Sequence, residues 1–476
     1  MTEKINSIAS RKRSMSQNRI IFLLIALSVI ALGGCAFLAL TPAQLSSQMR
    51  TCYYVLIAAY FFYLIPLMLL FARFGVDILE PIVLVGALYF ALMVFGPLIC
   101  IIIGDTDILG IDTMGGCVKG TIVFLISFYA YCLGYYLPMK NKIKTIDQKL
   151  QIVEKLQKGW IIRTMIFVWI ICLSVTVLYD VSIGRSKLYM FSFGQLGHAA
   201  PQEAETPLKG LIDLSYALLG AWVYLSIYWK HKGWLTVMYF LTLSVFVTRG
   251  FRFIVVIALL APIVLHYLRA EKRPKLINIV LLIAFLIMLM GTIGSIRTAL
   301  RTGKAIEGMS TGVSAVQSVF NSDFTTYKSY YGIIEAFPSK MNYQFGREIF
   351  LGTALMMIPR AIWPGKPEPV THQIEAVAVS THASLSGEAY PNLGEFYFEF
   401  GIIGCIIFMF IFGRLCCYLK QFMKAQSITG KLIFSISFFA LIQLIGRGYI
   451  PSNFYLVLFL NLPMILMCIR TKVKQN

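Results

Sequence analysis

The chain has 476 residues, of which 58% are hydrophobic and 13% charged, and it carries a formal net charge of +20. A soluble globular domain holds about 25% charged residues, so the deficit excludes an ordinary water-soluble fold. Nor is the positive excess a nucleic-acid footprint, because the lysines and arginines concentrate between apolar runs, where they orient helices and meet anionic headgroups.

Runs of about 20 apolar residues recur along the chain, each able to cross a hydrocarbon core of about 30 Å. Backbone polar groups have no water partner in lipid, so such runs are helices; the alternating segments of a membrane barrel are missing. The pattern predicts an all-α polytopic membrane protein with about twelve transmembrane helices. They are expected at 20–40, 51–72, 81–103, 117–138, 160–180, 208–229, 234–248, 253–268, 276–294, 395–415, 431–446 and 454–469. No small-residue cleavage site follows the first run, so a retained first helix is expected. Lysine and arginine bias puts both termini in the cytoplasm, together with 139–159, 230–232, 269–275 and 414–431. Within the first of these, 146–158 has helical periodicity and is expected to lie along the headgroups. The ten cysteines sit mostly in or at the ends of apolar runs, and no disulfide framework is expected.

Three parts follow: an N-terminal membrane bundle of about nine helices (1–294), one large extracytoplasmic loop between helices 9 and 10 (295–394), and about three C-terminal helices (395–476). The loop holds IFLGTALMMIPRAIW (349–363), apolar but too short to span, which predicts an interfacial or re-entrant helix. Pro359, Pro364, Pro367 and Pro369 then make a stiff, extended run.

Candidate chemistry gathers at the outer ends of the helices. Arg249, Arg252, Arg297, Arg301, Arg360 and Arg447 all fall there. A guanidinium grips phosphate oxygens through two parallel hydrogen bonds, so these residues suit an anionic headgroup, with snorkelling to the interface as the bland alternative. Lys366 and Tyr390 join them as candidate substrate contacts. Glu388, Glu395 and Glu399 precede or enter an apolar run, and Glu395 and Glu399 are one turn apart on a helix face. A glutamate in such a setting can serve as general base; stabilisation of a helix N-terminus or pairing with an arginine would explain it equally. His372 and His382 are further candidates for the base. Asp105 and Asp107 form a weak metal-binding pattern that turn chemistry explains as well, so no metal site is assigned.

The turn RGFR before an apolar run, the segment MIPRAIWPGKPEP and the closing GEAYPNLGEFYFEFGIIGCIIF resemble the Wzy-type repeat-unit polymerases of bacterial O-antigen, capsule and exopolysaccharide assembly. Local similarity covers 245–415; the first half is similar in hydropathy alone. The resemblance implies a GT-C-like membrane fold, shared in outline with O-antigen ligases, in the bacterial cytoplasmic (inner) membrane. It implies metal-independent, inverting glycosyl transfer on the extracytoplasmic side, without a cofactor. Donor and acceptor would both be oligosaccharides on undecaprenyl diphosphate, and a chain-length regulator and a flippase of the same pathway would be partners. Arg249, Arg252, Arg360 and Arg301 would then hold diphosphate, and Glu395, Glu388 or His372 would serve as base. The competing assignments are a lipid-linked oligosaccharide flippase and an O-antigen ligase-like transferase.

Overall fold

The computed structural model describes residues 23–42, 44–108, 111–139, 143–156, 158–182, 213–248, 252–302, 325–358, 363–366 and 389–466. A helix lies in each of the twelve ranges expected from the sequence. In chain order the helices are α1 (Leu23–Ala39), α2 (Ser47–Phe74), α3 (Pro81–Ile103, with a π turn at Ala91–Phe95) and α4 (Cys117–Tyr136). Next come α5 (Ile143–Leu156), α6 (Lys158–Ser182), α7 (Tyr216–Tyr228), α8 (Lys232–Thr248), α9 (Arg252–Arg269) and α10 (Leu276–Thr302). The chain continues with α11 (Thr326–Ala336), α12 (a π turn, Arg347–Gly352, running into Thr353–Leu355), α13 (Asn392–Met423), α14 (Ile428–Gly446) and α15 (Ile450–Leu460). Six of the described helices, in α2, α3, α4, α6, α13 and α14, are long and apolar enough to cross a membrane. A two-residue antiparallel ladder, Asp107–Ile108 with Ile111–Asp112, is the one sheet among the described residues.

Two cores organise the bundle. The first joins α2, α3, α4, α11 and α13; the second joins α6, α7, α8, α9, α14 and α15. Between apolar helices in lipid there is little hydrophobic drive, and close backbone packing takes its place. The crossing of α4 and α13 works in this way: a side chain at Gly134 would meet the Phe410 carbonyl oxygen at 2.2 Å, and one at Gly413 the Tyr131 carbonyl oxygen at 2.2 Å. Each glycine therefore admits the other helix's backbone.

Two features differ from a wholly peripheral loop between 295 and 394. Helix α10 runs on to Thr302, so Arg297 and Arg301 lie on its last turns. Helix α11 is buried in the first core, with Tyr327, Tyr330, Tyr331 and Ile333 fully enclosed. Its sequence, TYKSYYGIIEA, is too polar to span, yet its tyrosines bury large rings, and two of their hydroxyls find partners: Tyr330 donates to the Gly120 carbonyl and Tyr331 shares a hydrogen bond with the Thr121 hydroxyl.

At the opposite end of the bundle, α5 is pinned to the start of α14. Asp147 accepts from the backbone N–H groups of Gln426 (2.8 Å) and Ser427 (2.9 Å), and Glu154 from those of Ile428 (3.1 Å) and Thr429 (2.6 Å). The N-terminal donors of a helix need such acceptors.

Candidate functional site

The organising feature is a break inside α13. Phe400 and Gly401 leave helical geometry, with Gly401 at φ 63°, ψ −150°, a conformation glycine adopts without steric cost. The break frees the carbonyls of Phe398 and Glu399, which accept from the backbone N–H groups of Gln344 (3.0 Å) and Phe345 (2.9 Å). Irregular backbone in a spanning helix is stable where protein supplies its partners, and here the segment before α12 does so. The Glu399 carboxylate completes the junction by accepting from the backbone N–H groups of Gly346, Glu348 (2.8 Å) and Ile349 (3.3 Å).

One turn earlier, Glu395 Oε2 accepts from the Ile450 backbone N–H at 2.7 Å, at the first turn of α15. The turn between α14 and α15 is held on both sides. Gly448 donates to the Tyr390 carbonyl at 2.7 Å, and Asn453 Nδ2 donates to the Arg447 carbonyl at 2.6 Å. A side chain at Gly448 would meet the Asn392 backbone nitrogen at 2.3 Å, so the turn lies directly against the start of α13. Asn392 is itself held from α3, its Oδ1 accepting from the Tyr89 hydroxyl at 2.7 Å. Burial, then the negative charges of Glu348 and Glu395 and a hydrogen bond to Glu348, push the Tyr449 phenol well above the usual tyrosine range. Glu348, Glu395 and Glu399 are all buried in this one region, and among the described residues neither Glu395 nor Glu399 is ion-paired.

The Arg447 guanidinium stands over the Phe253 ring at 5.4 Å, which ties the turn to the first residues of α9, where Arg252 begins the helix. The structure thus brings Arg447, Tyr390, Glu395 and the Arg252 end of α9 to one place. Lys366 lies further along the same rim and closes the end of α12, donating to the carbonyls of Ile358 (3.0 Å) and Met356 (3.4 Å). Met357 beside it packs on the core that contains α9, and Tyr455 of α15 donates to the Thr353 carbonyl. Phe345, Phe350, Leu351 and Trp363 are exposed, as an interfacial segment requires. Arg297 and Arg301 are on the end of α10; Arg249, Arg360, Glu388, His372 and His382 lie outside the described residues.

Sequence inspection missed a second cluster on the same face. The Lys328 ammonium, 4% exposed, pairs with Asp105 at 2.6 Å and donates to the Asp107 carbonyl at 3.0 Å. Asp105 is therefore engaged by an ammonium. Nearby, the Lys119 ammonium stands over the Tyr397 ring at 5.4 Å, and Tyr343 lies edge-on to the same ring at 6.1 Å. Burial and its hydrogen bond with Tyr397 push the Tyr343 phenol up to about 12. The available signal was a single lysine set among the tyrosines of YKSYYG. Among the described residues no three His, Cys, Asp or Glu side chains are grouped to hold a metal ion.

A family profile described as O-antigen polysaccharide polymerase Wzy matches residues 17–476. No curated protein matches the chain. No solved structure matches it either.

Proposed function

The chain belongs to the O-antigen polysaccharide polymerase Wzy family, and from that premise we propose how this multi-pass membrane protein polymerises O-antigen repeat units. Glycosyl transfer takes place on the outer face of the cytoplasmic membrane, with donor and acceptor oligosaccharides both carried on undecaprenyl diphosphate. The reaction is inverting and metal-independent. As the anomeric carbon passes to the acceptor hydroxyl, the glycosyl–phosphate bond breaks and negative charge develops on the departing diphosphate. Fixed cations placed where that charge appears lower the barrier without reorganising at the moment of reaction. The acceptor hydroxyl loses a proton to a base.

In this proposal Arg447, Arg252, Arg249 and Arg360 hold the diphosphates, with Arg297, Arg301 and Lys366 along the same rim. The observation that carries it is the Arg447–Phe253 contact, which packs the α14–α15 turn against the start of α9, the helix whose first residue is Arg252. A ring under a guanidinium fixes its plane, and a guanidinium offers phosphate a planar fork of N–H donors. Glu395 is fully buried and spends one oxygen on the Ile450 N–H, so we assign it to positioning this turn. His372 and Glu388 remain the candidates for the base.

The test is the polymer produced by cells carrying Arg447→Ala. The expected outcome is a protein inserted at normal level, loss of the long-chain ladder, and accumulation of the lipid acceptor bearing a single repeat. An unchanged ladder would remove Arg447 from the site. Absence of all capping would point to a ligase, and repeat units retained on the inner leaflet to a flippase.

A further inference from the structure

The bundle's other end, where α2, α4 and α13 terminate beside α5, encloses a cavity of about 660 Å³. The lysine bias of the flanking segments expects this end to be cytoplasmic. Its charge is lopsided. Lys144, Lys420 and Lys424 line it, opposed by Asp147 alone, whose oxygens are taken by the Gln426 and Ser427 N–H groups. Lys420 is committed to buried Glu80 at 2.7 Å. Lys144 and Lys424 are exposed and have no ion pair among the described residues. Lys424 also borders an adjoining cavity of about 570 Å³, where Asp77 is paired with Arg273. The anions around the two cavities are thus occupied, and two ammonium groups are not.

Two further features bear on what enters. Tyr136 and Gln421 line the larger cavity, and the Tyr136 hydroxyl and Gln421 Oε1 are buried polar atoms with no hydrogen-bond partner among the described residues. Buried polar atoms left without partners are costly, so the cavity suits a ligand that carries hydroxyl groups as well as an anion. The wall is also continuous with apolar surface. Phe74, stacked on Tyr136 at 4.5 Å, and Leu137 border the cavity and are 51% and 40% exposed, and Leu133, one turn further along α4, is 58% exposed. Acyl chains leaving the cavity would lie along that flank.

We propose that this cavity binds the headgroup of an anionic, hydroxyl-bearing glycerophospholipid. Lys144 and Lys424 contact the phosphodiester, and Tyr136 and Gln421 bond the headgroup hydroxyls. Basic pockets between helices at the cytoplasmic face recognise anionic headgroups in this way. The site lies at the far end of the bundle from the Arg447 region and is independent of the polymerase proposal.

The test is thermal unfolding of the purified full-length protein in non-ionic detergent, with phosphatidylglycerol, phosphatidylcholine or inorganic phosphate added at equal concentration. Phosphatidylglycerol should raise Tm by about 5 °C more than phosphatidylcholine. In the Lys144→Ala/Lys424→Ala variant that difference should fall by at least half, while the Tm without lipid stays unchanged. Equal responses to the two lipids, or a variant that responds like the parent, would overturn the proposal. Inorganic phosphate reproducing the full shift would overturn the lipid as the source of the phosphate. Should the variant be unstable in detergent, mass spectrometry of co-purified lipid gives a second readout: the parent should retain phosphatidylglycerol in excess over its share of the membrane and Tyr136→Phe less of it, and equal retention contradicts the assignment.

Discussion

Glu395 and Glu399 stand one turn apart on α13 and each serves a different helix: Glu395 accepts from Ile450 at the start of α15, and Glu399 from Glu348 and Ile349 at the start of α12. One short helical segment before the Gly401 break therefore sets the positions of both structures around the candidate site. The negative end of a carboxylate is well matched to the donors of a helix N-terminus. Because Glu399 serves three N–H groups, Glu399→Ala should destabilise the protein by about 2–3 kcal/mol, with Glu399→Gln intermediate. Thermal unfolding in detergent measures this, and polymer length should fall in the same order. An alanine variant of parental stability would show that the cap does not hold α12.

That each of the twelve apolar segments holds a helix was legible because an apolar run in lipid must satisfy its backbone internally, and six of the described helices are long and apolar enough to cross a membrane. The shared face of Glu395 and Glu399 was legible because it follows from the helical period. What those carboxylates bond was not legible. Ile450 and the 346–349 segment lie some fifty residues away in sequence, and nothing local specifies the pairing. The same holds for Asp105, whose partner Lys328 is 223 residues distant. The break at Gly401 was hidden because a glycine in an apolar run is equally compatible with an unbroken helix. The burial of α11 was hidden because its segment is too polar to span and falls inside the stretch expected to be a loop.

Phe253 lies beneath the Arg447 guanidinium, so the proposed site gives it a positioning role. Phe253→Leu keeps the volume near constant and removes the ring face under the guanidinium. A contact of this kind contributes about 0.5–1 kcal/mol, so the expected effect is a two- to fivefold rise, approximately, in KM for the lipid-linked substrate, with kcat nearly unchanged. An equal loss in kcat at unchanged KM would contradict the role.

The Lys328–Asp105 pair predicts an asymmetry. Lys328 is 4% exposed at its side chain and Asp105 38%. Asp105→Ala leaves a buried ammonium without its carboxylate and should cost about 3–5 kcal/mol. Lys328→Met leaves a carboxylate that can turn to water and should cost about 1 kcal/mol. Denaturation of the two variants and of the double variant decides it; equal costs would mean that the pair is solvated.

Asp147 titrates as a clamp on α14. Burial works to raise its pKa, but donation from Ser427 and from the Gln426 and Ser427 backbone outweighs it and holds the carboxyl below the usual range. A folded pKa below the unfolded value of about 3.9 means the stabilisation is complete above that value and is lost as pH falls through the folded one. The Tm of the parent should be level above about pH 5 and fall more steeply below about pH 4 than that of Asp147→Asn. The variant should be less stable at neutral pH and converge on the parent in acid. Parallel curves would contradict the clamp.

The central claim is that arginines at the outer rim, without a metal, hold the diphosphate while repeat units are joined. Its most direct test is elongation of a synthetic undecaprenyl-diphosphate-linked repeat unit by purified protein in EDTA, for the parent and for Arg447→Ala. A ladder of inverted linkages from the parent in EDTA, and none from the folded variant, is the predicted result. A parent that is inactive until a divalent cation is restored, or a variant that elongates at the parental rate, would contradict it.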